Sequence, residues 1–410
     1  MPDPSLPAAP PPRVAPALIV IAAGVCAALH VGKVAPAVAA LQQALGLSLV
    51  QAGFLLSGVQ IAGMTLGLAF GVVADGLGAK RSMVLGLGLL SGASALGGAA
   101  TGAGWLMALR ALEGFGFLLV ALPAPGLLRQ LVPPGRVSLV LGVWGAYMPF
   151  ATAMALLLGP LAIAAVGWRA WWWLLAGLSL AMALWLARAV AAPTPQLAAG
   201  RSPSPWGRRL QQTLSAPGPW LVALTFALYS SQWLAVVGFL PTIYTQAGVP
   251  TAEMGLLTAL AAGVNMLGNI GSGRLLQHGV PASRLLVVGF VVMALAAVAA
   301  FAGAEGTGLP AAVRYGAVLL FSGVGGLIPA TLFALAVRLA PSEHTLSTTV
   351  GWVQQWSSLG QFAGPPVVAW VASVANGWQF TWVVTGLCSL LGLLCAAALR
   401  RLLSRAAARG

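Results

Sequence analysis

The sequence predicts an all-α membrane protein with twelve transmembrane helices in two pseudo-symmetric six-helix bundles. Three observations predict it. The first is composition: of 410 residues, 59% are hydrophobic and only 6% charged, with mean hydropathy +0.94. A soluble globular chain is about a quarter charged. The second is length patterning, because apolar runs recur at about the 20 residues needed to cross a hydrocarbon core of roughly 30 Å. The third is that the second half of the chain repeats the first.

The elements follow in order. Residues 1–13, "MPDPSLPAAPPPR", are proline-rich and read as a disordered tail. The run after them is too long for a signal-peptide core and is preceded only by Arg13, so it reads as the first helix. Six apolar segments follow at 14–41, 49–74, 82–100, 104–131, 137–165 and 169–190, making an N-terminal bundle over 14–190. Residues 191–218 are rich in proline, serine and arginine and read as a cytoplasmic linker with a short surface helix from Trp206 to Leu214. Six more segments, at 219–246, 252–276, 283–303, 310–339, 345–373 and 378–401, make the C-terminal bundle over 219–401. A basic tail is expected over 402–410. The 52 glycines and 28 prolines fall largely inside the apolar runs, where small residues let helices approach closely and neighbours tolerate kinks.

The net charge of +14 is explained by its placement. With the N-terminus inside, Lys80, Arg81, Arg129, Arg136, Arg188, Arg208, Arg209, Arg274, Arg284, Arg338, Arg400 and Arg401 all fall on the cytoplasmic side. Only Arg169 and Arg314 fall at the outer edges. This positive-inside bias places both termini in the cytoplasm of a bacterial-type inner (plasma) membrane. Because the basic residues are dispersed over many loops, they do not form a nucleic-acid footprint. Cys26, Cys388 and Cys395 lie in apolar runs and read as small packing residues.

The repeat has an offset of about 202–210 residues. "GLSLVQAG" at 46–53 matches "GVPTAEMG" at 248–255, and Pro36 matches Pro241. Gly159-Pro160 matches Gly364-Pro365, and "GWRAWW" at 167–172 matches "GWQFTW" at 377–382. "GVVADGLG" at 71–78 matches "GRLLQHG" at 273–279 more loosely. Matches in one order at nearly one offset imply a duplicated six-helix unit, which puts a solute site at the interface of the halves near the midplane.

The segment Gly71-Val-Val-Ala-Asp75-Gly-Leu-Gly78-Ala-Lys80-Arg81 resembles the signature between helices 2 and 3 of the major facilitator superfamily, with Gly76 standing where the family has a basic residue. Arg110-Ala-Leu-Glu113-Gly114-Phe-Gly116 resembles that family's helix 4 signature, and "GWR" after helix 5 is similar too. "HVGKVAP" with "GLSLVQAG" resembles the branch of cyanate, nitroimidazole and small-anion permeases. The resemblance implies the major facilitator fold and alternating-access transport. It implies that Gly71, Asp75, Gly78, Lys80 and Arg81 form a cytoplasmic gate. It also implies that helices 1 and 4 line a central cavity.

Ionisable residues within spans cost about 2.5–3.5 kcal/mol or more, so they should face a cavity and carry a partner. Arg110 and Glu113 are three apart on one helix face and lie about 9–13 Å from its outer end at 1.5 Å per residue. Lys33, one of only two lysines, reaches about 12 Å by the same rise. If the three meet, the cluster carries a surplus charge of about +1, which suits a monoanion. His30 lies one turn away and is a candidate proton carrier. The alternatives are a snorkelling Lys33, a self-satisfied Arg110–Glu113 pair and a His30 that only packs. The C-terminal half has Gly238 where the first half has Lys33. It offers Tyr229, Gln232, Asn265 and Gln354 instead, and Tyr147 joins these candidates from helix 5.

No P-loop, HExxH or Cys/His cluster is present in the sequence, so no cofactor, metal or enzymatic activity is expected. The leading expectation is a monomeric secondary transporter of a small anionic solute, with protons as coupling ion and the bilayer as its surroundings. The alternatives are a drug or metabolite exporter of the same fold, partly suggested by Ala155-Leu-Leu-Leu-Gly159-Pro160, and a transporter-like receptor.

Overall fold

The computed structural model describes residues 14–68, 78–133, 136–191, 206–303, 308–342 and 345–407. Every regular element among them is helical. The proline-rich segment 1–13, residues 192–205 of the linker and two gate residues, Gly71 and Asp75, lie outside the described residues.

The first half begins with α1, made of Val14–Gly32 and Val38–Leu45 joined through Lys33 and a 3-10 turn at Ala35–Ala37. Pro36 causes the interruption, since it has no N–H to donate. Then come α2 (Leu49–Leu68), α3 (Ala79–Gly98) and α4 (Ala103–Ala121, continued after Pro123 by Ala124–Leu131). One run, Val137–Gly145 and Tyr147–Ala189, supplies both α5 and α6. The sequence predicts two helices there, and the run does bend at Gly167 (φ 80°, ψ 163°), giving rods at 147–166 and 168–189. Only glycine adopts that backbone cheaply.

A separate helix, Trp206–Ser215, occupies the end of the linker. The second half holds α7 (Pro217–Gln246), α8 (Thr251–Gln277), α9 (Ala282–Phe301), α10 (Ala311–Arg338), α11 (Leu346–Val374) and α12 (Thr381–Ala407). Two boundaries differ from expectation. Helix α7 starts within the expected linker, with Pro217 at its first turn, where a missing N–H costs nothing. Helix α12 runs through the expected basic tail as far as Ala407, and Arg405 in its last turn complements the helix dipole.

Nine helical stretches among the described residues are long and apolar enough to cross a membrane. One of the nine is the bent run over α5 and α6. Helices α3 and α11 have comparable length but are more polar, since α3 opens with Lys80 and Arg81 and α11 carries Gln354, Gln355 and Gln361.

The internal repeat is visible in the backbone. Gly46 (φ 63°) ends α1 and Gly248 (φ 75°) follows α7, at matching places in the two aligned segments. After Gly46, Ser48 caps α2: its hydroxyl accepts from the Gln51 N–H at 3.2 Å, while the Gln51 side chain accepts from the Ser48 N–H at 2.9 Å. This reciprocal pair is a capping box. The two arginines at the end opposite the arginine-rich one also match in role. Arg169 donates to the carbonyls of Gly98 (2.9 Å) and Ala100 (3.0 Å) at the close of α3, and Arg314 donates to the Ala300 carbonyl (2.7 Å) near the close of α9. Each serves a helix C-terminus, where a cation meets unsatisfied carbonyls.

Within the first half, α1 packs on α5 and α6, and α3 packs on α4 and α6. Within the second, α7 packs on α11 and α12, and α9 on α10 and α12. The halves meet along two seams, α2 with α11 and α5 with α8. On the first seam Gly53 lies against Pro365 and Pro366, Gly63 against Ser358 and Gly67 against Gln355. On the second, Gly255 of α8 lies against the carbonyls of Leu156 and Leu157.

Candidate functional site

Two helices, α1 and α4, bring the predicted ionisable residues together. Lys33 of α1 forms an ion pair with Glu113 of α4, and Glu113 forms a second with Arg110 one turn earlier on the same helix. All three side chains are buried, with at most 1% of their surface exposed. Beside the trio α4 packs closely on α2, where a Cβ on Gly114 would collide with the Val59 carbonyl.

The remaining donors of the cluster, Arg110 Nη2 excepted, are satisfied by neighbours. Lys33 Nζ donates to Ser94 Oγ of α3 at 2.8 Å and lies 3.3 Å from His30 Nδ1. It also sits 4.7 Å from the ring centroid of Trp172 on α6, a cation–π contact. Ser94 in turn donates to the Trp172 carbonyl at 2.9 Å. His30 Nε2 is 2.7 Å from Ser179 Oγ on α6, and Cys26 Sγ is 3.5 Å from the same hydroxyl. Arg110 donates through Nη1 to the His30 carbonyl (2.7 Å) and through Nε to the Leu55 carbonyl of α2 (3.2 Å). Its Nη2 is buried and has no partner among the described residues. The 3-10 turn before Pro36 frees the Lys33 carbonyl, which accepts from the Trp171 indole at 3.2 Å.

Lys33, Arg110, Glu113 and His30 meet, and Lys33 and His30 also turn toward α3 and α6 inside the N-terminal half, a facing that hydropathy alone leaves open. The reason is that bilayer, bundle interior and interface all accept the same apolar surface, so hydropathy does not tell one face of α1 from another. Arg110 alone leans to α2, the helix that carries the seam with α11.

The other candidates do not join this site. Asn265 of α8 donates to Tyr229 OH of α7 at 2.9 Å and to the Ser322 carbonyl of α10 at 2.8 Å. The Trp233 indole donates to Ser322 Oγ at 3.0 Å, completing a neutral network inside the second half. Gln232 belongs elsewhere, accepting from Ser389 of α12 at 3.1 Å. Tyr147 stacks on Trp144 with ring centroids 4.3 Å apart. Gln354 is half-buried on α11. Of the gate residues within the described range, Gly78 precedes α3 with φ 79°, and Lys80 and Arg81 occupy its first turn.

Sequence reasoning passed over Ser94, Ser179 and Trp172, which complete the ionic cluster. It also passed over Gln60 and Gln361. These join the halves directly: Gln60 of α2 donates to the Gln361 side-chain oxygen of α11 at 3.0 Å, and both residues are buried. Neither pair lies at the repeat offset, so the repeat carried no signal for them. No group of three His, Cys, Asp or Glu suited to a metal occurs among the described residues.

The family model of the Major Facilitator Superfamily matches residues 20–363. Among curated proteins, the tetracenomycin C resistance and export protein of Streptomyces glaucescens is 30% identical over 156 residues, covering 38% of this chain and 29% of that protein. An uncharacterised transporter of the same superfamily from Mycobacterium tuberculosis is 30% identical over 102 residues, 25% of this chain and 18% of that one. The chain therefore spans under a third of either relative's length. Among solved structures, a bacterial homologue of the human lysosomal transporter Spinster, inward-facing and unoccupied, superposes with TM-score 0.76 at 16% identity over 96% of this chain and 98% of that one. A D-xylose–proton symporter superposes with TM-score 0.70 at 16% identity, over 93% and 96% of the respective chains.

Proposed function

Because the chain belongs to the major facilitator superfamily, we propose that it is a secondary transporter that moves a small anionic solute by alternating access, coupled to protons through Glu113. One observation carries this reading: the buried Lys33–Glu113–Arg110 trio, two cations sharing one carboxylate. Its surplus of one positive charge sits where each uncompensated charge is costly.

The coupling follows from charge balance. Ionised Glu113 ties α1 to α4. A proton on Glu113 leaves Lys33 and Arg110 without a counter-charge, which the low-dielectric interior opposes. A monoanion arriving at Arg110, whose Nη2 is unpaired, restores the original balance. Proton and anion therefore favour each other's binding, and linkage makes that coupling reciprocal. In this reading Arg110 meets the solute, Lys33 holds Glu113, and Gly78, Lys80 and Arg81, with Gly71 and Asp75, gate the arginine-rich side. That side faces the cytoplasm of a bacterial inner membrane, and both termini lie there.

A second reading, export of a larger organic compound, draws on the likeness to a tetracenomycin exporter. Uptake into proteoliposomes separates the two. A panel of labelled monoanions, with and without an imposed pH gradient, should give accumulation that requires the inward proton gradient. Arg110→Gln should abolish that accumulation. Movement of neutral or cationic compounds in preference to anions, or accumulation indifferent to the gradient, would overturn the reading.

A further inference from the structure

The hydrogen bonds around Lys33 do not stop at Glu113. Cys26, His30 and Lys33 are spaced four and three residues apart on α1, so they form one stripe, spanning about 10 Å at 1.5 Å per residue. The stripe faces α6, and Ser179 of that helix lies between two of its members. The distances run 3.3 Å from Lys33 Nζ to His30 Nδ1, 2.7 Å from His30 Nε2 to Ser179 Oγ and 3.5 Å from Ser179 Oγ to Cys26 Sγ. His30, Lys33 and Ser179 are wholly buried. Both ring nitrogens of His30 are engaged, one on the Glu113 side and one on the Ser179 side.

We propose that Lys33, His30 and Ser179 form a proton relay from Glu113 to the seam of α1 and α6, so that the coupling proton and the solute leave the cluster by different sides. The inference rests on the reading of Glu113 as the proton-coupling group. A buried neutral imidazole has one donor and one acceptor nitrogen to satisfy. In His30 the two lie between a charged pair on one side and a hydroxyl on the other, the arrangement that lets a proton enter at one nitrogen and leave at the other.

The protons balance. Protonated Glu113 gives its proton to Lys33 as the Lys33 ammonium gives one to His30 Nδ1. His30 releases its Nε2 proton to Ser179 Oγ, which passes its own hydroxyl proton to water entering the α1–α6 seam, the terminal acceptor that the relay requires. Glu113 ends as a carboxylate, Lys33 as an ammonium and His30 as the other neutral tautomer. The charged and titratable groups around His30 are Lys33 and Cys26 on α1, Glu113 at 3.7 Å and Arg110 on its main-chain oxygen from α4, with Ser179 from α6. The relay therefore has one acid end and one hydroxyl end. The solute side is different, because Arg110 reaches to α2, the helix that carries a seam between the halves.

The test needs no solute. The full chain is reconstituted in lipid, and the infrared carboxyl band of Glu113, assigned by its loss in Glu113→Gln, is followed after a pH jump. Ser179→Ala and His30→Gln should slow the band's response by about ten-fold or more without moving its end point, and Ser179→Thr, which keeps the hydroxyl, should restore the rate. Equal rates in the wild type, Ser179→Ala and His30→Gln would overturn the relay while leaving Glu113 as the coupling group. A Glu113 band that never responds to pH would overturn the coupling reading and the relay with it.

Discussion

In the N-terminal half the space between α1, α3, α4 and α6 is filled by Lys33, Arg110, Glu113, His30, Ser94 and Ser179. In the C-terminal half the space between α7, α8 and α10 is filled by Tyr229, Trp233, Asn265 and Ser322, none of them charged. The halves share matching helix-terminal features, yet one has an ionic interior and the other a neutral one. A neutral buried hydrogen bond contributes about 0.5–1.5 kcal/mol net. A buried ion costs several kcal/mol of desolvation before its partner compensates. Fold maintenance therefore explains the second network and does not require the first. The charged half holds the groups whose protonation can change the energy of the packing. In the proposed transport cycle, the neutral half is the body against which that change is exerted.

The largest expected effect comes from breaking the ionic side. Glu113→Ala strands two buried cations and should lower unfolding stability in detergent by about 3–5 kcal/mol. The double variant Lys33→Met with Glu113→Leu removes a cation and its carboxylate together, and should recover a substantial part of that loss. A Glu113→Ala protein as stable as the wild type would mean that the trio is open to water and that the contrast between the halves is false.

The neutral side should respond less. Asn265→Ala removes bonds to Tyr229 and Ser322 and should cost about 1–3 kcal/mol, while proton-gradient-driven uptake per folded molecule stays near the wild-type rate. Lost gradient dependence in that variant, with folding intact, would place coupling chemistry in both halves.

What the sequence made legible follows the same division. Charges in apolar runs are rare, so Lys33, Arg110 and Glu113 announced themselves, and their depths along α1 and α4 agree well enough for them to meet. The spans and the repeat were legible because lipid demands long apolar helices and the loops keep their glycines and tryptophans. Ser94 and Ser179 were not legible, because a serine can satisfy itself on its own helix and is ordinary in membrane spans. The facing of the cluster was not legible either. In water an amphipathic helix declares its buried side, but a helix between lipid and protein is apolar all round. Only packing decides that Lys33 turns to Ser94 and Trp172.

The smallest expected effect lies where the halves touch. Gln60 and Gln361 share a buried hydrogen bond across the α2–α11 seam, and Gln361 also donates to Ser357 Oγ at 3.3 Å on its own helix. Neither glutamine belongs to the ionic cluster or to the Asn265 network. Gln60→Leu removes one inter-half bond; Gln361 keeps Ser357 Oγ for its N–H but loses the donor to its Oε1, so stability should fall by about 1 kcal/mol, the low end for an orphaned acceptor. Because the bond crosses the seam, the same energy should appear as a shift of about five-fold in the balance between seam-closed and seam-open molecules. Spin labels on α2 and α11 would read that shift as a second distance population. Asn265→Ala, which sits inside one half, should leave the distances unchanged. If both variants shift the distances equally, the seam is not a separate element, and the two interiors cannot be treated as bodies that move against each other.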